Sequence, residues 1–179
     1  MASSAPASTL EVRRVHGVGD RELEALADVL IDCVEGGASV SFMLPMTRAK
    51  ALAFWRQVAD GVARGERALL VAEDGQGIVG TVQVILAQPE NQPHRADVAK
   101  MLVHRRARRQ GAGAALMHAA ESAALAEGKT LLVLDTADAT AARLYARLGW
   151  QAAGTIPRYA LLPAGGECAT TYFYRSLVT

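Results

Sequence analysis

The sequence predicts one mixed α/β domain in which strands and amphipathic helices surround a shared hydrophobic core. The chain has 179 residues and is 51% hydrophobic, which suffices for one sizeable core, whereas two separate domains would each be small. Segments with strand-like alternation are interleaved with segments of helical periodicity. A basic turn with two glycines joins one such strand to one such helix. We therefore expect a domain over residues 10–178, preceded by a small, polar and flexible tail at residues 1–9.

The N-terminal part of the chain is predicted to form a strand followed by two helices. Residues 10–15 alternate in polarity, which favours a strand. Asp20 can cap a first helix that presents an apolar face, and the pair Gly36-Gly37 would end it. Thr47 can cap a second helix, which Gly65 would end.

The middle of the chain is predicted to form three strands and a long helix. Residues 67–73 and 78–86 are expected to pair around a four-residue loop at 74–77. A fourth, largely apolar strand covers 97–103. A helix follows from about Gly111 to Glu127.

The C-terminal part of the chain is predicted to form three more strands. Residues 130–135 are apolar and make the fifth strand. Residues 151–162 and 168–177 form the last two strands, joined through a loop at 163–166 that contains proline and two glycines.

Composition disfavours several kinds of partner. The formal net charge is only +1, so no overall field attracts nucleic acid or an anionic membrane. Cys33 and Cys168 are far apart and fit buried thiols in a reducing cytoplasm. The histidines lack the spacing of metal ligands, and no apolar run is long enough to cross a bilayer. We expect a cytoplasmic protein with no nucleic-acid, membrane or metal partner.

The segment Arg108-Arg109-Gln110-Gly111-Ala112-Gly113-Ala114 is the most informative motif. Its glycines allow a tight turn, and the helix after it presents free N–H groups and a positive dipole end, which suits a pyrophosphate. A Walker loop is excluded because no Gly-Lys-Ser/Thr follows. A dinucleotide fingerprint would place bulky Leu116 where a small residue is needed, although Asp135 has suitable spacing. An ordinary glycine-rich connection is the remaining alternative.

The pattern Arg108-x-x-Gly111-x-Gly113 resembles the coenzyme A loop of the GNAT superfamily of N-acetyltransferases. The segment 141–150 also resembles the short helix and Leu-Tyr-x-x-x-Gly-aromatic ending that follows the fifth strand in these enzymes. The resemblance implies a GNAT-like α/β (α+β) fold. Its mixed, mostly antiparallel sheet would have about seven strands, splay between strands four and five, and carry about four helices. It also implies acetyl-CoA as cosubstrate.

The same resemblance implies where the coenzyme would bind. In GNAT enzymes the pantetheine arm lies along the fourth strand like an added strand. The residues that this implies here are Met101, Leu102 and Val103 along the arm, with Arg108, Arg109, Gln110, Gly111, Ala112, Gly113 and Ala114 at the phosphates.

Three residues are candidates for the chemistry of acetyl transfer, which needs a neutral amine and a protonated leaving thiol. Asp97 and Asp135 would lie near the point where strands four and five part, and either can assist loss of the ammonium proton or bind its charge. Tyr145 matches the tyrosine that GNAT relatives place beside the sulfur as general acid. The alternatives are a solvent-facing Asp97, an Asp135 that caps the next helix, and a Tyr145 packed in the core.

The substrate side is expected to include Glu35, Ser39, Phe42 and Tyr159, because the loops that carry them flank the cleft in that fold. Residues 34–43 resemble the corresponding loop of GNAT enzymes that acetylate a toxin's amino acid. We therefore expect N-acetylation of a small amine, either an amino-acid-like metabolite or a toxin, by a monomer or homodimer. Acetylation of a protein's lysine or N-terminus, or non-catalytic sensing of acyl-CoA, are the alternatives.

Overall fold

The computed structural model describes residues 9–178, so the predicted tail lies outside the described residues except for Thr9. Seven strands and four helices follow one another in the order expected from the sequence pattern and, for the fourth helix, from the GNAT resemblance. Their bounds are β1 Glu11–Val15, α1 Asp20–Glu35, α2 Arg48–Ala63, β2 Arg67–Asp74, β3 Gly77–Ile85, β4 Arg95–Val103, α3 Ala112–Ala126, β5 Leu131–Thr136, α4 Ala139–Arg147, β6 Gln151–Leu161 and β7 Glu167–Ser176.

The strands form one sheet in the order β1-β2-β3-β4-β5-β7-β6. All neighbouring strands are antiparallel except β4 and β5, which are parallel. This pair is registered only from Arg95 to Asp97 against Leu131 to Val133, although β4 continues to Val103. The two strands therefore diverge towards their carboxyl ends, which confirms the predicted splay and the predicted fold class.

The sheet is covered on both faces by helices. On one face, α1 and α2 pack on a cluster that includes Leu26, Trp55 and Leu69, all fully buried. On the other face, α3 and α4 pack on a cluster that includes Leu116 and Leu132. Because side chains alternate along a strand, each buried strand contributes to both clusters.

The helix ends follow local chemistry, with one difference from the prediction. Thr47 caps α2 as expected, since its hydroxyl accepts a hydrogen bond from the Lys50 N–H at 3.2 Å. Gly36 ends α1, and Gly37 adopts a φ of 94°, as expected for a glycine stop. Asp20 is the first residue of α1 and not its cap. Gly19 occupies the cap position, and its N–H donates to the Glu22 carboxylate at 3.1 Å.

Two further findings concern residues 9–178. None of the helices described there has the length and apolar character needed to cross a membrane. In the same residues, no cluster of His, Cys, Asp and Glu is arranged to hold a metal ion. Cys33 is buried and Cys168 is partly buried, and both thiols are free.

Candidate active site

The divergence of β4 from β5 opens a gap at the centre of the sheet. A β-bulge lies here, because Lys100 and Met101 together face the single residue Val82 between the registered pairs of β3 and β4. The register of β4 with β5 stops at Asp97, so the later part of β4 has no strand partner on that side among the described residues. A free strand edge of this kind can pair with an extended ligand arm. The predicted contacts Met101, Leu102 and Val103 lie on this edge.

The start of α3 follows the carboxyl end of β4 after a short turn, and its geometry suits an anion. Gly111 precedes the helix with a φ of 83°, and Arg109 has a φ of 60°. The N–H groups of Ala112, Gly113 and Ala114 meet no acceptor within residues 9–178, and no side chain caps the helix. The free N–H groups and the helix dipole attract negative charge at the same point.

The arginines of this turn differ in their partners. Arg105 and Arg106 form ion pairs with Asp32 and Asp74, so their charges are balanced within the protein. Arg108 instead donates to the Val103 carbonyl at 3.3 Å. Arg109 forms no ion pair with any described residue, and its guanidinium is available to a phosphate. The turn therefore fits the phosphates of a coenzyme.

Asp32 fixes this turn to α1, a role that the sequence reasoning missed. Its buried carboxylate accepts a hydrogen bond from the Arg105 N–H at 2.9 Å and also binds the Arg105 guanidinium. His104 lies 3.6 Å from the same carboxylate. The sequence did indicate this role, because Asp32 is an acidic residue within the apolar face of α1. Such a residue is rarely buried without a partner.

Tyr145 lies on α4 beside the gap. Its ring packs against Phe173 and Trp150, with centroid distances of 5.8 and 6.1 Å. Burial raises the pKa of the phenol well above its usual value, and the carboxylates of Asp138 and Asp135 raise it further. The side chain of Leu144 and the Met101 thioether lie close to Gly113. This packing connects α4, β4 and the start of α3.

Asp97 and Asp135 project from the same face of the sheet, because Asp97 is registered with Val133, two residues before Asp135. Arg95 forms an ion pair with Asp97, and the Gln88 amide donates to it at 3.0 Å. Asp135 is exposed.

The predicted alternative in which Asp135 caps the next helix is wrong. Asp138 caps α4, since its carboxylate accepts from the Thr140 N–H at 2.8 Å. Asp135 instead accepts a hydrogen bond from the Thr170 hydroxyl at 2.7 Å and lines a neighbouring cleft.

This cleft has a volume of about 320 Å³ and lies between the α1–α2 loop and the ends of β5, β6 and β7. It is bounded on one side, where the loop is joined to the β6–β7 hairpin. The Ser39 hydroxyl donates to the Leu161 carbonyl at 3.3 Å, and the Leu44 N–H donates to the Pro163 carbonyl at 2.9 Å. The predicted substrate residues Ser39, Phe42 and Tyr159 line the cleft. Glu35 lies at the exposed end of α1 and is not part of its lining.

Two further side chains of this region were missed by the sequence reasoning. The hydroxyl of Tyr172 lies 2.9 Å from that of Tyr159. This hydrogen bond, together with the charges of Asp135 and Asp97, raises the pKa of Tyr172 to about 12. Lys100 donates to the Ser41 hydroxyl at 2.9 Å. Both contacts join segments distant in sequence, so no local pattern indicated them.

Backbone strain is concentrated around the site. Four non-glycine residues among those described have positive φ, and they are Ser41, Lys100, Arg109 and Arg158. Ser41 and Lys100 are joined by the hydrogen bond above, Arg109 lies in the phosphate turn, and Arg158 precedes Tyr159. Such conformations cost energy and persist where the surroundings hold them, commonly at functional sites.

A splayed parallel strand pair, a helix start with free N–H groups and an adjoining cleft are the arrangement expected of an enzyme that transfers an acyl group from a phosphorylated carrier. The family described as "Acetyltransferase (GNAT) domain" matches residues 65–152, the segment from before β2 to the start of β6. The chain thus matches a GNAT acetyltransferase domain over this segment and shares the GNAT fold. It is an N-acetyltransferase whose cosubstrate is acetyl-CoA.

Solved structures share this fold at low sequence identity. The Salmonella typhimurium protein yncA, solved with its cofactor acetyl-CoA, is 16% identical, with a TM-score of 0.77 and coverage of 96% of both chains. A ribosomal-protein-alanine N-acetyltransferase from Brucella melitensis is 20% identical, with a TM-score of 0.77 over 93% of this chain and 99% of the other. A protein proposed to be a phosphinothricin N-acetyltransferase is 19% identical, with a TM-score of 0.77 over 96% and 100%.

Proposed function

We propose that the protein acetylates the amine of a small, amino-acid-like molecule bound in the cleft beside Asp135. The observation that carries this proposal is that hydrogen bonds from Ser39 and Leu44 join the α1–α2 loop to the β6–β7 hairpin and so bound one side of a small cleft. An extended peptide would need a longer groove, whereas a free amine of limited size needs only a small cleft. The volume of about 320 Å³ lies at the small end of the range of roughly 300–1,000 Å³ for ligand pockets.

One set of residues would bind the coenzyme and another set the amine. Arg109 and the N–H groups at the start of α3 hold the phosphates, with Arg108 and Gln110 in the same turn. The free edge at Met101–Val103 aligns the pantetheine arm. The bound coenzyme supplies the thioester whose acetyl group is transferred.

Three side chains would take part in the proton transfers of the reaction. Asp135 binds the ammonium group of the acceptor and assists loss of its proton, with Asp97 as a second carboxylate on the same face. Tyr145 carries its proton at neutral pH, as any phenol does, and burial raises its pKa further, so it is in the form that can donate to the departing thiolate. Direct transfer needs no covalent enzyme intermediate.

Our proposal for the physiological acceptor is based on a sequence resemblance. The segment Val34-Glu35-Gly36-Gly37-Ala38-Ser39-Val40-Ser41-Phe42-Met43 resembles a loop of the tabtoxin resistance protein, a GNAT enzyme that acetylates a toxin's amino acid. The fold similarity to a protein proposed to act on phosphinothricin agrees with an acceptor of this size. We propose a cytoplasmic detoxifying role on this basis.

Release of the free thiol of coenzyme A tests the function. The purified protein and acetyl-CoA are incubated with amino acids, toxin-like amino acids, aminoglycosides, polyamines and a protein lysate. Thiol release with small amino acids is expected. Acetylation of protein lysines or N-termini alone would contradict the small-molecule acceptor. Calorimetric binding of acetyl-CoA with no transfer to any amine would instead support a sensing module.

A further inference from the structure

Lys100 places an ammonium group at the wall of the acceptor cleft. It lies in the β4 bulge with a φ of 52°, which turns it away from the regular course of the strand. Its Nζ donates to the Ser41 hydroxyl at 2.9 Å, and Ser41 lines the cleft. The same Nζ lies 5.9 Å from the centre of the Phe54 ring.

This ammonium group has no carboxylate partner close enough for an ion pair among the described residues. Its only hydrogen-bond acceptor there is the neutral hydroxyl of Ser41. Burial lowers the pKa of Lys100, and the more distant charge of Asp135 raises it. A partly buried cation without a counterion is stabilised by an anionic ligand, because the ligand restores the electrostatic interactions that water would otherwise provide.

The cleft therefore contains charges of both signs. Asp135 lines the cleft, and Lys100, which is outside the lining itself, donates to the lining residue Ser41. The two groups do not pair with each other, so each remains available to a ligand. An acceptor that carries both an amine and a carboxylate would match both charges.

We propose that Lys100, together with Ser41, binds a carboxylate of the acceptor, so that the substrate class is amino acids with a free carboxylate. This assignment rests on the proposed function, since it names the feature by which the same cleft selects its amine. Lys100 would act in specificity and would not take part in proton transfer.

The strained contact between Ser41 and Lys100 supports this role. Both residues have positive φ, at 78° and 52°, and their side chains meet although they are 59 positions apart in sequence. Maintaining two unfavourable backbone conformations costs free energy, which a merely solvated lysine would not require. The strain directs one ammonium group and one hydroxyl to the same point, a pair of donors suited to the two oxygens of a carboxylate.

Pairs of acceptors that differ only in the carboxylate test the proposal. Each amino acid of the panel is compared with its primary amide, by steady-state kinetics and by calorimetric binding to the protein loaded with coenzyme A. The unchanged protein should favour the acid. Lys100→Met should raise KM and the dissociation constant for the acid roughly 10- to 100-fold, the range expected for a charge-assisted hydrogen bond, and leave those of the amide nearly unchanged.

Two variants serve as controls. Lys100→Arg should retain most of the preference for the acid, because it keeps the charge. Arg56→Met removes a cation from an exposed position of α2 and should change neither constant. Thermal unfolding of each variant separates loss of binding from loss of folding.

The outcomes distinguish this proposal from the proposed function. Equal use of acid and amide by the unchanged protein would overturn the role of Lys100 and leave the function standing. An equal fall in kcat on both members of a pair in Lys100→Met would also overturn it, because that result assigns Lys100 to the chemistry. If no small amine is acetylated, the function fails, and calorimetric binding still decides whether the cleft prefers the carboxylate.

Discussion

The coenzyme side and the acceptor side of the site are built in different ways. The proposed coenzyme side comes from one continuous segment, residues 101–114, and would offer mainly backbone groups whose direction depends on φ. The acceptor side is assembled from side chains of four separate parts of the chain: the α1–α2 loop and the ends of β5, β6 and β7. Binding on the coenzyme side should therefore depend on backbone conformation, and binding on the acceptor side on the identity of the side chains.

This difference predicts which property each variant should change. A substitution that alters a φ in the turn before α3 should affect coenzyme binding and leave the acceptor unaffected. A substitution that alters a polar group of the cleft should affect use of the amine and leave coenzyme binding intact. Tyr145 lies between the two regions, so its removal should affect turnover alone.

The largest effect is expected on the acceptor side, from Asp135→Asn. The amide can still accept the hydrogen bond from Thr170, so the fold should be preserved. Loss of the negative charge removes both the attraction for an ammonium group and the acceptor for its proton. We expect kcat/KM to fall roughly 100-fold or more, with the dissociation constant of acetyl-CoA unchanged.

Two neighbouring carboxylates provide the comparison for this variant. Asp138→Asn alters the cap of α4 and should lower the melting temperature with little change in kcat/KM. Asp97→Asn should reduce kcat/KM less than Asp135→Asn, because Arg95 and Gln88 already hold the Asp97 carboxylate. A larger loss in Asp97→Asn would assign the main role to Asp97.

An intermediate effect is expected from Tyr145→Phe. The packing against Phe173 and Trp150 involves the ring, so the melting temperature should be nearly unchanged. Loss of the hydroxyl should lower kcat roughly 10- to 100-fold and spare the binding of acetyl-CoA.

The pH dependence of Tyr145→Phe follows from the direction of the pKa shift. Burial raises the pKa of Tyr145 above its ordinary value of 10.0, so the phenol carries its proton at every lower pH. The ratio of the two rates should therefore be constant from about pH 6 to about pH 9. A ratio that falls to one within this range would show that the phenol is not the acid.

The two regions also differ in how much the sequence revealed. The turn from Arg108 to Ala114 was predicted because glycine spacing and adjacent arginines report backbone conformation and charge directly. The order of seven strands and three helices followed from hydrophobic periodicity and turn residues, whereas α4 and the splayed, mostly antiparallel sheet were expected from the GNAT resemblance. Element bounds differed by one or two residues where caps were ambiguous, as at Asp20 and Gly19.

The cleft was only partly predictable, because its geometry arises from contacts between distant segments. The bulge at Lys100 depends on the register of β3 against β4, which no local pattern specifies. Thr170 and Tyr172 meet their partners Asp135 and Tyr159 only after β7 has paired with both β5 and β6. Ser39, Phe42 and Tyr159 were found through resemblance and not through any property of their own segments.

The smallest effect is expected on the coenzyme side, from Gly111→Ala. Gly111 has a φ of 83°, and a methyl group there would meet no atom within 4 Å, so the cost is conformational and not steric. An alanine in the left-handed region costs about 1–2 kcal/mol. The backbone would relax to relieve part of this cost, and the relaxation would move the free N–H groups of α3 away from the phosphates. The dissociation constant of acetyl-CoA should rise about 3- to 10-fold, measured by calorimetry, with KM for the amine unchanged.

Gly128→Ala is the matched control, because it imposes the same kind of strain at the other end of the same helix. Gly128 has a φ of 74° and likewise no atom within 4 Å of an added methyl group. Both variants should lower the melting temperature by about 2–8 °C. Only Gly111→Ala should weaken coenzyme binding, since only its backbone lies beside the free N–H groups. Equal affinity of the two variants for acetyl-CoA would show that side-chain charge, chiefly that of Arg109, holds the phosphates. The coenzyme side would then depend on side chains, as the acceptor side does.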